Sequence, residues 1–146
     1  MSLILAGKLS WRTQPIIEAI EQNKYKNQIH LPGYISEEEK KYLMHNACAF
    51  VFPSNYEGFG IPVVEAMSCG GVVITANNSS LKEVGGKAAF YVQKTDEVAQ
   101  LADRMLQCFN LSDSERKKIM EDGESWAAQF SWKKCAHETQ AVLEQG

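Results

Sequence analysis

The sequence predicts an open α/β fold built on a parallel sheet, and three observations support this fold class. Short apolar segments of strand length alternate with longer segments of helical periodicity. The apolar segments are continuous, which is typical of parallel strands buried on both faces. The chain of 146 residues, 45% hydrophobic and 23% charged, has the size and composition of one globular domain. We therefore expect a single domain over residues 1–146.

Five apolar segments are predicted to be strands because each has strand length and most end at Gly, Pro, Ser or Asn. In parallel sheets ligands bind at the carboxyl ends of the strands, so the loops after these segments are where a site is expected. The predicted strands are Leu3–Ala6, Ile29–Leu31, Ala49–Phe52, Val72–Thr75 and Ala89–Val92.

Helix-start signals lie between the predicted strands. Pro15 suits the first turn of a helix that carries an isoleucine stripe. Ser36 with Glu39 has the capping-box pattern and predicts a helix to about Asn46. The other predicted helices comprise a short one begun by Ser80 with Glu83, one with an apolar face of Val98, Leu101, Ala102, Met105 and Leu106, and segments over 112–130 and 131–144.

Composition and cysteine spacing argue against several classes of protein. Fifteen Lys and Arg against eighteen Asp and Glu give a formal net charge of −3, so nucleic acid is an unexpected partner. No apolar run approaches the ~20 residues of a membrane span. No C-x-x-C pair occurs and no histidine stands at ligand spacing, so we expect no metal and predict reduced, buried thiols in a cytoplasmic protein at Cys48, Cys69, Cys108 and Cys135.

The segment over 53–67 has the features of a phosphate-binding loop. It joins a predicted strand to a predicted helix. Gly58 and Gly60 lack a Cβ atom, so the backbone there can approach a ligand closely or take a positive φ. Pro62 suits the first turn of the helix that follows. Unpaired amides at such a helix start, together with the helix dipole, favour a phosphate or diphosphate.

Two carboxylates flank this predicted phosphate site, Glu57 on the loop and Glu65 about one turn into the helix. Neither favourably contacts a phosphate, but carboxylates accept hydrogen bonds from vicinal hydroxyls. A nucleotide sugar, which has a sugar on each side of a diphosphate, matches this order of groups. A glycine-rich turn with one exposed and one helix-surface glutamate is the structural alternative at this point.

The sequence around these glutamates resembles the donor-binding domain of the retaining glycosyltransferases of family 4. That family carries two glutamates separated by seven residues, as Glu57 and Glu65 are, within the pattern Pro-Ser, Glu-Gly-Phe-Gly, Pro-Val, Glu-Ala-Met and Cys-Gly. The similarity includes Leu5–Gly7, Ile29–Tyr34 and Phe130–Trp132, and so covers nearly the whole chain. It implies a Rossmann-like open parallel sheet flanked by helices, the C-terminal domain of a GT-B enzyme.

The resemblance implies roles for individual residues. Glu57 would face the transferred hexose as the catalytic residue, and Glu65 would bind the ribose hydroxyls of a UDP- or GDP-sugar. No cofactor or metal is implied, and the sequence contains no Asp-x-Asp to hold one. The other implied donor-binding positions are Gly58, Phe59, Gly60 and Ile61 around the diphosphate, Gly33, Tyr34 and Ile35 against the base, and Gly7 and Lys8 in another ligand-side loop. Tyr34 and Lys8 are equally compatible with solvated surface positions.

The resemblance also implies parts that this sequence lacks. The family's enzyme has two such domains with the active site between them, and the acceptor domain and the opening strand of the donor domain are absent. Lys8 and Arg12 do not match the basic residues that follow that strand. We therefore expect a chain truncated at its N-terminus that binds donor weakly without turnover. A glycan or lipid-linked acceptor would bind the missing domain, through which the full enzyme could contact a membrane. The sheet edges that the missing strand would leave unpaired predict a homodimer or a higher assembly.

Three other functions are alternatives to that of a glycosyltransferase donor domain. A nucleotide-sugar-binding module or regulatory fragment would use the same site without catalysis. A sugar-nucleotide epimerase of GT-B architecture would bind a similar donor, although the spacing of the two glutamates favours transfer. A dinucleotide-dependent oxidoreductase is disfavoured because Val63 stands where its third glycine is needed.

Overall fold

All five predicted strands are present, and every strand pair is parallel. The structure is a computed structural model that describes residues 1–8 and 13–144. The chain divides into unit 1, Met1–Lys40, and unit 2, Lys41–Gly146. Unit 1 contains a sheet of β1 (Leu3–Ala6) and β2 (Ile29–Gly33), and unit 2 contains a sheet in the order β3 (Phe50–Phe52), β4 (Val73–Ala76) and β5 (Ala89–Val92). The predicted parallel α/β class is confirmed, with the strands distributed over two sheets.

Seven α-helices lie within the described residues, and a 3-10 turn over Lys26–Gln28 precedes β2. The predicted capping box at the second helix is confirmed, because the Ser36 N–H donates to the Glu39 carboxylate at 2.7 Å and the Glu39 N–H donates to the Ser36 hydroxyl at 3.2 Å. The helices are α1 (Gln14–Glu21), α2 (Glu37–Asn46), α3 (Ile61–Ser68), α4 (Leu81–Gly85), α5 (Val98–Phe109), α6 (Asp113–Ala127) and α7 (Trp132–Leu143).

The core of unit 2 is built around β4, whose four residues are all buried. β4 lies between β3 and β5, so that Ile74 pairs with Val51 on one side and with Phe90 on the other. Complete burial of an aliphatic side chain of this size contributes about 1.5–3 kcal/mol. The helices cover this sheet with the remaining buried apolar residues, among them Val63, Ala66, Met67, Leu81, Val84, Cys108 and Ala127.

β1 differs from the buried parallel strand that its apolar sequence predicted. All four of its residues are exposed, and none of the described residues of unit 1 is buried. A sheet of two strands has little surface of its own to pack against, and such pairs need further strands or a helix to form a core. The continuous apolar run of β1 therefore predicted a strand correctly and its burial incorrectly.

The buried face of α5 is shifted from the predicted one. Leu101 and Met105 pack against the core and Cys108 is buried. Val98 and Leu106, which the sequence placed on the same face, are 79% and 55% exposed. The spacing from Leu101 to Cys108 is the i, i+4, i+7 spacing of one helix face, which explains why these three residues point inward together.

The four cysteines are free thiols, as predicted, but they are not all buried. Cys108 is buried, and Cys48 and Cys69 are half-buried. Cys135 is exposed because it lies on α7, a helix that buries none of its residues. The expectation of buried thiols is therefore wrong for Cys135.

Candidate functional site

The candidate site of unit 2 lies in the loops that follow its three strands. Because the strands are parallel and adjacent, the loop over 53–60 (the glycine loop) and the loop over 77–80 (the serine loop) leave the same edge of the sheet. The Asn78 amide donates to the Ser54 carbonyl at 3.2 Å and joins the two loops. The Thr95 hydroxyl, from the loop after β5, donates to the Asn55 side chain. Hydrogen bonds therefore tie the glycine loop to both neighbouring loops.

Gly60 turns the chain from the glycine loop into α3. It occupies the N-cap position in the left-handed region, with φ 104° and ψ 42°. A Cβ atom at this position would lie 2.7 Å from Cδ2 of Leu81, which is fully buried. Both the backbone conformation and the close approach of Leu81 therefore require glycine, as the sequence pattern suggested. Gly58 has neither constraint, because no atom lies within 4 Å of its Cβ position.

The backbone amides of Phe59, Gly60 and Ile61 indicate an anion site at the start of α3. Within the hydrogen bonds formed by residues 13–144, none of these three amides is a donor. The next residue, Pro62, has no N–H, and the Val63 N–H donates to the Gly60 carbonyl at 2.9 Å. Unpaired amides at a helix N-terminus attract negative charge through the amide dipoles and the helix dipole.

Glu57 and Glu65 are both half-buried and lie on either side of these amides along the chain. The backbone of Glu57 is held by the serine loop at two atoms: its N–H donates to the Ser79 hydroxyl at 3.2 Å, and its carbonyl accepts from the Ser80 hydroxyl at 2.9 Å. Glu65 is the fifth residue of α3, about one turn after its start. Unit 2 therefore contains both glutamates and the three amides at the amino end of one helix.

Phe59 of the glycine loop is the first of three aromatic rings that pack against one another in a row. Phe59 packs edge-on against Phe130, with ring centroids 5.8 Å apart. Phe130 in turn packs edge-on against Trp126 at 6.0 Å. The Trp126 indole N–H donates to the Val84 carbonyl at 2.7 Å, which connects this aromatic row to α4. The sequence indicated Phe130 only through its family resemblance and did not indicate Trp126.

Ser79 and Ser80 are the site residues that the sequence pattern did not identify as such. Ser80 was expected to start a helix, and α4 does begin after it, but its hydroxyl makes no capping hydrogen bond. Ser79 adopts φ 41°, and it is the one non-glycine residue with positive φ in the described part of the chain. The Asn-Asn-Ser-Ser run after a strand is a loop signal, but it does not indicate which residue its hydroxyls bind.

The remaining predicted positions lie in unit 1, at the last residue of β2 and in the loops after β1 and β2. The Gly7 N–H donates to the carbonyl of Gly33, the last residue of β2, at 2.8 Å, so the loop after β1 is bound to the end of β2. Tyr34 is 83% exposed, Lys8 is exposed and Ile35 is half-buried. Their predicted contacts with a nucleotide stay predictions. Arg12, which was compared with the family's basic residues, lies outside the described residues.

Neither a metal-ligand cluster nor a membrane-spanning helix occurs among the described residues. Across residues 1–8 and 13–144, no three or more His, Cys, Asp and Glu side chains are grouped so that they could hold a metal ion. In the same ranges no helix combines the length and the apolar character needed to cross a bilayer. The two candidate glutamates therefore do not belong to a described metal-ligand cluster.

Parallel strands flanked by helices, with the candidate site at the carboxyl ends of the strands, are the features of a Rossmann-like fold of the GT-B type. The family assignment is more specific. Residues 1–126 match the family described as "Glycosyl transferases group 1". The chain therefore belongs to the group 1 glycosyltransferases, which confirms the glycosyltransferase resemblance stated from the sequence. Membership of family 4 and the retaining mechanism stay predictions.

Several known proteins are similar to this chain. O-antigen chain mannosyltransferase B of Escherichia coli is 38% identical over 137 residues, which are 94% of this chain and 35% of that protein. MMP alpha-(1->4)-mannosyltransferase of Mycolicibacterium hassiacum is 33% identical over 122 residues, which are 80% of this chain and 29% of that protein. The chain thus spans about a third of the length of these curated relatives.

Solved structures share the fold at low sequence identity. Anabaena Alr3699/HepE in complex with UDP superimposes with a TM-score of 0.85 at 21% identity, covering 100% of this chain and 41% of that protein. The same protein in complex with UDP and glucose superimposes with a TM-score of 0.82 at 22% identity, covering 99% of this chain and 41% of that protein. At this level of identity the likeness establishes the fold.

Proposed function

We propose that this chain is the donor-binding part of a retaining glycosyltransferase that transfers a hexose from a nucleoside diphosphate sugar to a glycan or lipid-linked acceptor. The observation that carries the proposal is the set of three amides at the start of α3, flanked along the chain by two half-buried glutamates. The mannosyltransferase relatives support a hexose as the transferred group. The O-antigen relative supports a role in polysaccharide synthesis.

In this proposal the amides of Phe59, Gly60 and Ile61 bind the diphosphate. Amide donors that are already oriented stabilise the negative charge that grows on the leaving diphosphate without reorganisation. Glu65 accepts hydrogen bonds from the ribose hydroxyls, and Glu57 faces the hexose. The helix start then takes the role of a divalent cation, so donor binding is expected to be unchanged by a metal chelator.

Transfer is proposed for the whole protein, and donor binding without turnover for this chain alone. The chain spans about a third of the length of its mannosyltransferase relatives. In the two-domain enzymes of this family the acceptor binds the other domain. A donor held by this chain therefore has no acceptor beside it, and we expect neither transfer nor appreciable hydrolysis.

An NMR titration of the isotope-labelled chain with GDP-mannose and UDP-glucose tests donor binding. We expect amide shifts concentrated at residues 59–65. Glu65→Gln removes a charged hydrogen-bond acceptor and is expected to weaken binding about ten- to a hundredfold. Glu121→Gln, on the exposed surface of α6, is the matched control and should bind as the unaltered chain does. If millimolar donor shifts no amide between Phe59 and Glu65, the proposal is wrong.

Assays of the whole protein test the transfer. We expect Glu57→Gln to reduce turnover much more than nucleotide affinity, whereas a pure binding module has no turnover to lose. A retaining enzyme leaves the anomeric configuration of the hexose the same in donor and product, which the anomeric proton signal reports. An inverted product would contradict the retaining assignment while leaving donor binding intact.

A further inference from the structure

The serine loop binds the backbone of Glu57 through two hydrogen bonds. The Glu57 N–H donates to the Ser79 hydroxyl at 3.2 Å. The Ser80 hydroxyl donates to the Glu57 carbonyl at 2.9 Å. Two consecutive serines thus bind the two polar backbone atoms of one residue 22 and 23 positions away. Glu57 lies outside any helix or strand, so its backbone has no regular hydrogen-bond ladder to position it.

The backbone of Ser79 is strained, which indicates that contacts with neighbouring residues keep it in this conformation. Its φ of 41° is a conformation that L residues with a Cβ atom rarely adopt. The side chain is exposed, so burial of that side chain does not impose this conformation. The Ser79 hydroxyl donates to the Asn78 side-chain oxygen at 3.2 Å while it accepts from Glu57, and the Asn78 amide donates to the Ser54 carbonyl at 3.2 Å. Strain maintained by such a network is characteristic of functional loops.

Ser80 does not form the capping hydrogen bond that is usual for a serine at the start of a helix. It is the N-cap residue of α4, where a serine hydroxyl ordinarily accepts a backbone N–H of the first turn. At Ser112 and Ser131, the N-cap residues of α6 and α7, the hydroxyl makes that bond. At Ser80 no side-chain capping bond is formed, and the hydroxyl is directed to Glu57. The serine therefore stabilises the glycine loop in place of its own helix.

We propose that Ser79 and Ser80 are positioning residues that set the direction of the Glu57 carboxylate towards the sugar of a nucleoside diphosphate sugar. This inference rests on the proposed function of the site. The diphosphate amides have a separate anchor in the first turn of α3, where Gly60 is the N-cap residue and its carbonyl accepts the Val63 N–H at 2.9 Å. Loss of the serine hydroxyls is therefore expected to weaken recognition of the sugar and to leave recognition of the nucleoside diphosphate largely unchanged.

The experiment compares, for each form of the 146-residue chain, the dissociation constant of a nucleotide with that of the corresponding nucleotide sugar. Isothermal titration with GDP and with GDP-mannose, and with UDP and UDP-glucose, gives the affinity gained from the sugar. We expect Ser80→Ala to reduce this gain about three- to tenfold while the affinity for GDP or UDP changes less than twofold. Ser80→Thr keeps the hydroxyl and should retain most of the gain. Ser68→Ala, on the exposed end of α3, is the control and should bind both ligands normally.

A double substitution separates positioning from general loosening of the structure. In a Glu57→Gln background the sugar-dependent gain is already reduced, so adding Ser80→Ala should reduce it little further. If the two substitutions act additively, or if Ser80→Ala weakens GDP and GDP-mannose equally, the positioning role is wrong. A chain that binds no nucleotide at all overturns the proposed function, and the positioning role falls with it.

Hydrogen exchange gives a readout that needs no ligand and covers the case of a destabilised variant. Ser79→Ala removes the acceptor of the Glu57 N–H, so exchange of that amide should accelerate at least tenfold relative to amides in β4. Ser79→Asn keeps an acceptor on a residue type that tolerates positive φ, and should exchange more slowly than Ser79→Ala. If the Glu57 amide exchanges at an unchanged rate in Ser79→Ala, the Ser79 hydroxyl does not restrain the Glu57 backbone. The positioning role of Ser79 is then wrong, whatever the titrations show.

Discussion

The ring of Phe59 meets the ring of Phe130 edge-on, with the ring planes at 81° and the centroids 5.8 Å apart. The two residues are far apart in sequence, and their contact links the glycine loop to the segment between α6 and α7. Phe130 also packs against Trp126, at the end of α6. The aromatic row restrains the conformation of this loop, whose backbone amides are proposed to bind a diphosphate.

Phe130→Ala removes both edge-on contacts of the aromatic row. Each such pair contributes about 0.5–1.5 kcal/mol beyond area burial, so we expect the free energy of unfolding to fall by about 1–3 kcal/mol. Urea denaturation followed by circular dichroism measures this loss. Phe109→Ala, at a ring 56% exposed on α5, is the control, with an expected change below about 1 kcal/mol. Equal losses for both variants would show that the aromatic row has no special role.

Gly60→Ala and Gly58→Ala form a matched pair in one loop. At Gly60 the new Cβ would lie 2.7 Å from Leu81 and the backbone has φ 104°, so we expect a loss of about 1–3 kcal/mol and weaker nucleotide binding. At Gly58 the Cβ meets open space, and stability should change by less than about 0.5 kcal/mol. Denaturation curves and GDP titrations of both variants check this. A Gly58→Ala chain as unstable as Gly60→Ala would contradict the structure.

The cysteines are expected to differ in reactivity towards a thiol reagent. Burial, then the neighbouring Cys48, raises the pKa of the Cys108 thiol to about 11, against a smaller opposing effect of Arg116. The reactive thiolate is therefore scarce there at about pH 8, whereas Cys135 is exposed. Labelling should be fastest at Cys135, and Cys135→Ser should abolish the fast phase. A fast phase that disappears instead in Cys108→Ser would refute the burial of that thiol.

The stability of the chain should fall in mild acid, in part through the capping box of α6. Hydrogen bonds from the hydroxyl and the amide of Ser112 hold the pKa of Glu115 below its ordinary value. A carboxyl whose pKa is lower in the folded state stabilises the fold above its unfolded pKa, and this stability is lost as the pH falls through the folded pKa. The free energy of unfolding, measured by urea titration between about pH 6 and pH 3, should therefore decline.

Two substitutions at α6 test how much of the acid-induced loss of unfolding free energy is due to the capping box. Ser112→Ala removes the hydroxyl that donates to the Glu115 carboxylate and leaves the backbone amide donor in place, so it should make the pH profile less steep in acid. Ser125→Ala, at an exposed position on the same helix, should retain the profile of the unaltered chain. A profile that is equally steep in both variants would mean that other carboxyls account for the acid sensitivity. Glu39 is one such group, since its pKa is lowered by Ser36 in the same way.

Much of the local structure was predictable because it depends on residues that are close in the chain. The strands β1 and β5 have the predicted bounds, and the capping box of α2 forms as its spacing indicates. Gly60 adopts the positive φ that the glycine loop suggested. The glycosyltransferase resemblance found around the two glutamates is confirmed at the level of the group 1 family by the match over residues 1–126.

The sequence by itself determined the order of strands and helices, the glycine loop and the family, since periodicity, turn residues and motif spacing are all local signals. The tertiary structure decided which surfaces are covered: β1 and Cys135 are exposed although their residue types favour burial. It also decided the partners of Glu57 and Phe59, which are serine hydroxyls from the next loop and a ring from beyond α6. Such contacts depend on how distant elements pack, and packing leaves no short-range pattern in the chain.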